Sequence, residues 1–180
     1  MWEEPLHMSA VKTLEKNMSG WFKSAPALPK NVKQLIVQIA PWSALAVGLL
    51  QLFSAWGLGE LLRELERLGT NSTAVARLYN HQTVRTYTLS SSDRMMMYLA
   101  IIVLIVDGAI LVMAFSELKK RSLRGWELAF LAMLVNAAYA DVALLVSLRN
   151  FDSFLFSVAW SIAGFYLLFQ VRDTYSTKKS

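Results

Sequence analysis

The chain has 180 residues, of which 55% are hydrophobic and 17% charged, and its mean hydropathy is +0.38; an average soluble domain is about 25% charged. Cysteine is absent, and the two histidines, His7 and His81, lie outside the apolar blocks. This excludes disulfides, thiolate metal sites, the thiol chemistry of quinone-linked four-helix oxidoreductases, and a haem held between helices by imidazoles.

The first seventeen residues, MWEEPLHMSAVKTLEKN, carry two early acids and no apolar run. They do not read as a signal peptide, so the first span is expected to act as the targeting signal. Within residues 9–22, Val11, Leu14 and Met18 recur at helical spacing opposite Lys12, Glu15 and Lys16, a weak amphipathic pattern. Ala25–Pro29 reads as a hinge. Beyond it, Val32, Leu35, Ile36 and Ile39 fall on one helical face, with Lys33, Gln34 and Gln38 elsewhere. Asn31 is placed to cap this helix, and Pro41 invites a bend. Two readings stay open: a short helix lying in the membrane interface, or a bent extension of the first span.

Four blocks meet the rule of about 20 apolar residues for a helix that crosses a bilayer. They are residues 39–59, with no charge; 95–115, with Asp107; 126–148, with Glu127 at its edge and Asp141 inside; and 151–171, with Asp152 at its edge. Between the first two spans, residues 60–94 form an outer loop. It opens with a leucine stripe (Leu61, Leu62, Leu65, Leu68) and the pairs Glu60–Arg63 and Glu64–Arg67, which suit an amphipathic helix ending at Gly69. The remainder is polar, with a β-prone stretch at 83–88.

Counting Lys and Arg sets the orientation. The first tail, the loop between spans two and three, and the last tail hold Lys12, Lys16, Lys23, Lys30, Lys33, Lys119, Lys120, Arg121, Arg124, Arg172, Lys178 and Lys179. The other side holds Arg63, Arg67, Arg77, Arg85, Arg94 and Arg149. Both termini are therefore expected in the cytoplasm. Lys30, Lys33, Lys119, Lys120, Arg121 and Arg124 serve as orientation signals and as contacts for lipid headgroups. The net charge of +5 is assigned to these flanks, not to nucleic-acid binding. Trp42 and Trp126 are expected at the cytoplasmic interface, and Trp56, Tyr98, Phe151 and Phe154 at the outer one, with ordinary core packing accounting for some of them.

The expected fold is all-α: a membrane-embedded antiparallel four-helix bundle (39–171), preceded by a cytoplasmic tail with an amphipathic or interfacial helix (1–38) and followed by a cytoplasmic tail (172–180). At about 1.5 Å rise per residue, Asp107 lies roughly 12 Å from the cytoplasmic end of its span, Asn136 and Ser161 roughly 15 Å, Gln51 roughly 18 Å and Asp141 roughly 22 Å. A mid-membrane polar cluster of Asp107, Asp141, Asn136, Gln51, Ser161 and Tyr139 follows. An intramembrane carboxylate costs about 2.5–3.5 kcal/mol on insertion scales, so it has a partner or a task. Interhelical hydrogen bonding is the favoured reading. A proton or cation path, with Tyr139 or water between the two aspartates, is the second, and contact with a partner's helices the third. Small residues repeat every fourth position (Ala40, Ala44, Gly48; Ala132, Asn136, Ala140; Ser153, Ser157, Ser161). They favour close packing within the chain over self-association. The sequence has no zinc-protease, nucleophile-elbow or phosphate-loop motif, and no enzymatic activity, cofactor or metal is expected.

Three stretches, LPKNVKQLIVQIAPWSALAVGLL (28–50), LKKRSLRGWELAFLAMLVNAAY (118–139) and SIAGFYLLFQVRDTY (161–175), together resemble a group of small bacterial four-span membrane proteins with no assigned activity. The resemblance rests on Pro29–Asn31, Ala40–Trp42, Gly125–Trp126 and Tyr166–Arg172 and covers about a third of the chain. The long first loop and Asp107 depart from that group's pattern. The resemblance implies a multi-pass protein of a bacterial inner membrane. The expected role is a scaffold or accessory subunit that binds lipid or other membrane proteins. A proton- or ion-coupled transporter using Asp107 and Asp141, and a sensor whose outer loop reads a ligand, are the alternatives.

Overall fold

A computed structural model describes residues 6–22, 25–79, 90–147 and 151–175, with the backbone alone described at 6–12, 70–79, 141–147 and 151–157. The described residues are helical: α1 (Leu6–Phe22), α2 (Lys30–Tyr79), α3 (Ser91–Lys119), α4 (Leu123–Ser147) and α5 (Phe151–Val171), then a 3-10 turn at Arg172–Thr174. Two of them, α2 over Lys30–Gly69 and α3 over Ser91–Lys119, are long and apolar enough to cross a membrane. In each, only 22% of the most apolar stretch is buried.

The apolar blocks at 39–59 and 95–115 sit inside α2 and α3, and those at 126–148 and 151–171 correspond to α4 and α5. Helix α2 starts one residue before Asn31, so Asn31 lies in the first turn and does not cap it. The Pro29 carbonyl takes the first helical hydrogen bond, from Lys33 N at 3.1 Å. Pro41 is buried inside α2, where it deletes one backbone bond without ending the helix. Residues 30–40 are therefore not a separate short helix: they run without a break into the helix that carries the apolar block at 39–59. Gly69 does not stop α2 either. No described glycine has positive φ, so Gly69 forms no left-handed cap. Its cost of about 1 kcal/mol is borne by a helix that continues to Tyr79. The β-prone stretch at 83–88 lies outside the described residues.

From α2 to α5, successive helices run antiparallel. Helices α2 and α3 cross where Gly48 meets Gly108. A Cβ on either would stand 2.9 Å from the other's carbonyl oxygen, so the small-residue stripe of α2 packs inside the chain. At the other end of this pair, near the start of α3, Arg94 pairs with Glu66 at 3.5 Å. Ser90 caps α3 by accepting from Asp93 N at 3.1 Å, while its hydroxyl donates to the Asp93 carboxylate at 2.7 Å.

The turn from α3 to α4 is tight. Arg121 adopts φ 56°; Ser122 N donates to Glu117 O and Arg121 N to Leu118 O, both at 3.0 Å, the pattern of a Schellman ending. Gly125 follows because a Cβ there would stand 2.5 Å from Leu118 N and 2.6 Å from Glu117 C. Both are backbone atoms with no freedom to yield.

That turn opens onto the core, where Val37, Ala44, Ala114, Leu118, Trp126, Phe130, Phe165, Val171 and Tyr175 pack together. Trp126 is fully buried, so its ring belongs to the core packing. It stacks on Phe130 at 5.4 Å and meets Phe169 edge-on at 5.5 Å. Its indole N–H donates to the Leu168 carbonyl at 2.8 Å, satisfying one of the acceptors that the last turn of α5 leaves open. Trp42, in contrast, is exposed, as are Trp56 and Tyr98. The side chains of Phe151 and Phe154 are outside the described set.

Candidate functional site

Two arrangements stand out, one midway along the bundle and one at its core end. The first is the polar cluster. Gln51 lies on α2, Asp107 on α3 and Asn136 on α4. Helices α2 and α3 run in opposite directions and cross at Gly48 and Gly108, so Gln51, about one turn past Gly48, and Asp107, next to Gly108, come within reach of each other. The Gln51 amide donates to Asp107 Oδ2 at 2.7 Å, and the Asn136 amide donates to the same oxygen at 3.2 Å. Asp107 is only 2% exposed. Its other oxygen, Oδ1, has no hydrogen-bond partner, and neither has Gln51 Oε1. Such groups normally find a partner, because an unpaired buried acceptor forfeits its hydration.

Both residues line a cavity of about 470 Å³ that all four long helices share. Asn136 and Ser161 line it as well, together with apolar walls that include Val47, Leu111 and Met133. Four of the six residues expected in the polar cluster are thus brought to one place, and three of them bond directly. Tyr139 is half-buried on α4 but does not line the cavity. Asp141 belongs to the backbone of α4, and its side chain lies outside the described residues.

The second arrangement ties the first and last parts of the chain together. Tyr166 donates its hydroxyl to the Pro26 carbonyl at 2.5 Å. Gln170 accepts from Leu28 N at 3.2 Å and donates to Pro26 O at 3.4 Å. Arg172 pairs with Glu15 of α1 and lies 5.3 Å from the Trp126 ring, a cation–π distance. Phe22 stacks on Phe169 at 5.4 Å. The hinge at 25–29 is therefore non-helical as expected, but it is held against α5. The expected polarity of α1 is corrected in part: Leu14 is 48% exposed, while Glu15, placed on the polar face by the sequence, turns inward to Arg172.

The basic residues gather around this same end. Lys30, Lys119, Lys120, Arg121 and Arg124 are exposed and Lys33 is half-buried. Lys119 sits 5.7 Å from the Trp42 ring. Lys120 pairs with Glu117 at 3.2 Å. The Ser122 hydroxyl, donating at 2.7 Å, and then Lys120 hold the Glu117 carboxyl below its ordinary range. Tyr175 is 5% exposed, and burial pushes its hydroxyl above the usual value, partly offset by Arg121.

No family model, curated protein or solved structure matches the chain.

The tether of the hinge to α5 was not anticipated by the sequence. A trace of it lies in the resemblance, whose three stretches supply Leu28, Trp126, Tyr166, Gln170 and Arg172. Those stretches meet at the core end of the bundle.

Proposed function

We propose that the protein is a four-span integral membrane protein, with α2 to α5 as the spans, both termini cytoplasmic, working as a small scaffold or accessory subunit that binds lipid or another membrane protein. The observation that carries this reading is the apolar surface of α2 and α3. Leu50, Phe53 and Trp56 on α2 are 66–68% exposed, and Ile102 and Met113 on α3 are 58% and 56% exposed. In water, a continuous apolar surface of this kind would be a liability; in lipid it is the ordinary exterior. The excess of Lys and Arg around the α3–α4 turn and the tails supports a cytoplasmic assignment for that end. The resemblance to small bacterial four-span proteins supports the same layout and a bacterial cytoplasmic membrane.

The absence of cysteine allows a clean topology test. Single variants Ser9→Cys, Lys120→Cys, Ser180→Cys, Ser72→Cys and Arg149→Cys are treated with a membrane-impermeant maleimide on intact cells. The expected outcome is labelling of the last two only, with the first three labelled after permeabilisation. Labelling of Lys120→Cys in intact cells refutes the orientation, and extraction of the chain by alkaline carbonate refutes the membrane reading. For the accessory role, photo-crosslinking from Leu50 is expected to capture lipid or a membrane protein. Capture of soluble proteins alone refutes it.

A second reading, a proton- or ion-coupled transporter, is favoured by one observation: a buried carboxylate with an open oxygen on a cavity shared by four helices. It requires Asp107→Asn to abolish proton or ion flux in liposomes while the bundle remains folded. Unchanged flux removes it.

A further inference from the structure

Within the membrane module proposed above, the polar floor of the cavity has an uneven hydrogen-bond balance. Gln51 and Asn136 spend amide donors on one oxygen of Asp107. What remains is Asp107 Oδ1 and Gln51 Oε1, two acceptors without a donor. Both residues face one cavity of about 470 Å³, inside the size range of small-molecule sites, about 300–1,000 Å³. Among the described residues that line it, none is Lys, Arg or His. A ligand carrying a phosphate or carboxylate would bring more acceptors and a like charge to this floor. An ammonium group would bring N–H donors and the opposite charge, the pairing with the largest gain at a desolvated carboxylate. The walls contributed by Val47, Leu111, Met133 and Trp160 suit an alkyl or aromatic body. Trp160 adds a ring face of the kind that attracts cations.

We propose that this cavity binds an amphiphilic primary amine, its ammonium group donating to Asp107 Oδ1 and Gln51 Oε1 and its apolar body lying along α2, α3, α4 and α5. The selectivity is chemical: amines over alcohols of the same length, and both over carboxylates.

The test uses the full chain in detergent micelles, titrated calorimetrically with octylammonium, octanol and octanoate at neutral pH, with empty micelles as the blank. Saturable binding of octylammonium at one site per chain is expected, tighter than octanol, with no saturable binding of octanoate. Asp107→Asn should weaken octylammonium by about tenfold or more, tenfold being ~1.4 kcal/mol, with an unchanged elution profile and helix content. Ser161→Leu narrows the cavity from α5 without touching the Gln51–Asp107–Asn136 bonds and should weaken binding similarly. It decides the matter if Asp107→Asn does not fold. Equal affinity in wild type and both variants, octanoate binding as tightly as octylammonium, or no saturable amine binding overturns the proposal. None of these results bears on the topology, which the maleimide experiment reads independently.

Discussion

Replacing Asp107 by leucine and by asparagine separates an acceptor from a charge. In Asp107→Leu, the Gln51 and Asn136 amides lose the oxygen they share at 2.7 and 3.2 Å. Interhelical hydrogen bonds in membranes average about 0.6 kcal/mol and reach about 1.7 kcal/mol. Two such bonds, with both amide groups left unpaired, place the loss at ~1–3 kcal/mol. Asp107→Asn keeps a carbonyl oxygen for both donors and sets an amide N–H₂ where the unpartnered Oδ1 stood. Its stability should stay within about 1 kcal/mol of wild type, one hydrogen bond's worth. Asn136→Leu removes one of the two bonds and should fall between, at about 0.6–1.7 kcal/mol. The measurement is equilibrium unfolding in mixed micelles by SDS titration, followed by far-UV circular dichroism. If the asparagine variant falls as far as the leucine variant, the carboxylate matters through its charge, and the account of this cluster as shared hydrogen bonding is wrong.

Gly125→Ala should destabilise the bundle by ~1–3 kcal/mol, the range for overpacking, because its Cβ meets the α3 backbone at 2.5 and 2.6 Å; a neutral result in the same titration would contradict the tight turn. Trp126→Phe keeps the stacked ring but strands the Leu168 carbonyl, a cost of ~1–3 kcal/mol for a buried unpaired group, read as a lower melting temperature in micelles. The Tyr175 hydroxyl has a raised folded value, so its contribution to stability is complete below the ordinary tyrosine range, about pH 10, and is lost as pH rises through the folded value. Melting temperatures between pH 8 and 11 should fall less steeply in Tyr175→Phe than in wild type; parallel curves would show that Tyr175 is not the group responsible.

The long helices were legible because apolar residues come in runs whose length the chain's own chemistry dictates. The run at 151–171 coincides with α5. Depth alone placed Asp107, Asn136 and Ser161 nearly level and Gln51 further along its helix; that Gln51 and Asn136 both donate to one Asp107 oxygen had no signal in the sequence. Gly69 was misread because a glycine permits a helix to end and does not compel it. Trp126 was not separable in advance into interface or core, because an indole near a basic turn looks the same in sequence whether it faces lipid or the core. The pinning of the hinge by Tyr166 and Gln170 left no periodic signal. Its partners are 140 to 144 residues apart, and neither segment alone shows an unmet need. Glu15 was placed on the polar face because an acid opposite Val11, Leu14 and Met18 reads as solvated. Its pairing with Arg172 depends on where a distant helix ends.

The tether between the hinge and α5 also fixes an order of events during biosynthesis. The hinge at 25–29 leaves the ribosome before the hydroxyl and amide that hold it, which belong to α5. While α2 to α4 are being made, α1 lacks the α5 dock, and Glu15 lacks the Arg172 guanidinium. Docking of α1 therefore waits on the synthesis of α5, and a nascent chain arrested before Tyr166 would leave that helix open to proteases that the docked form resists.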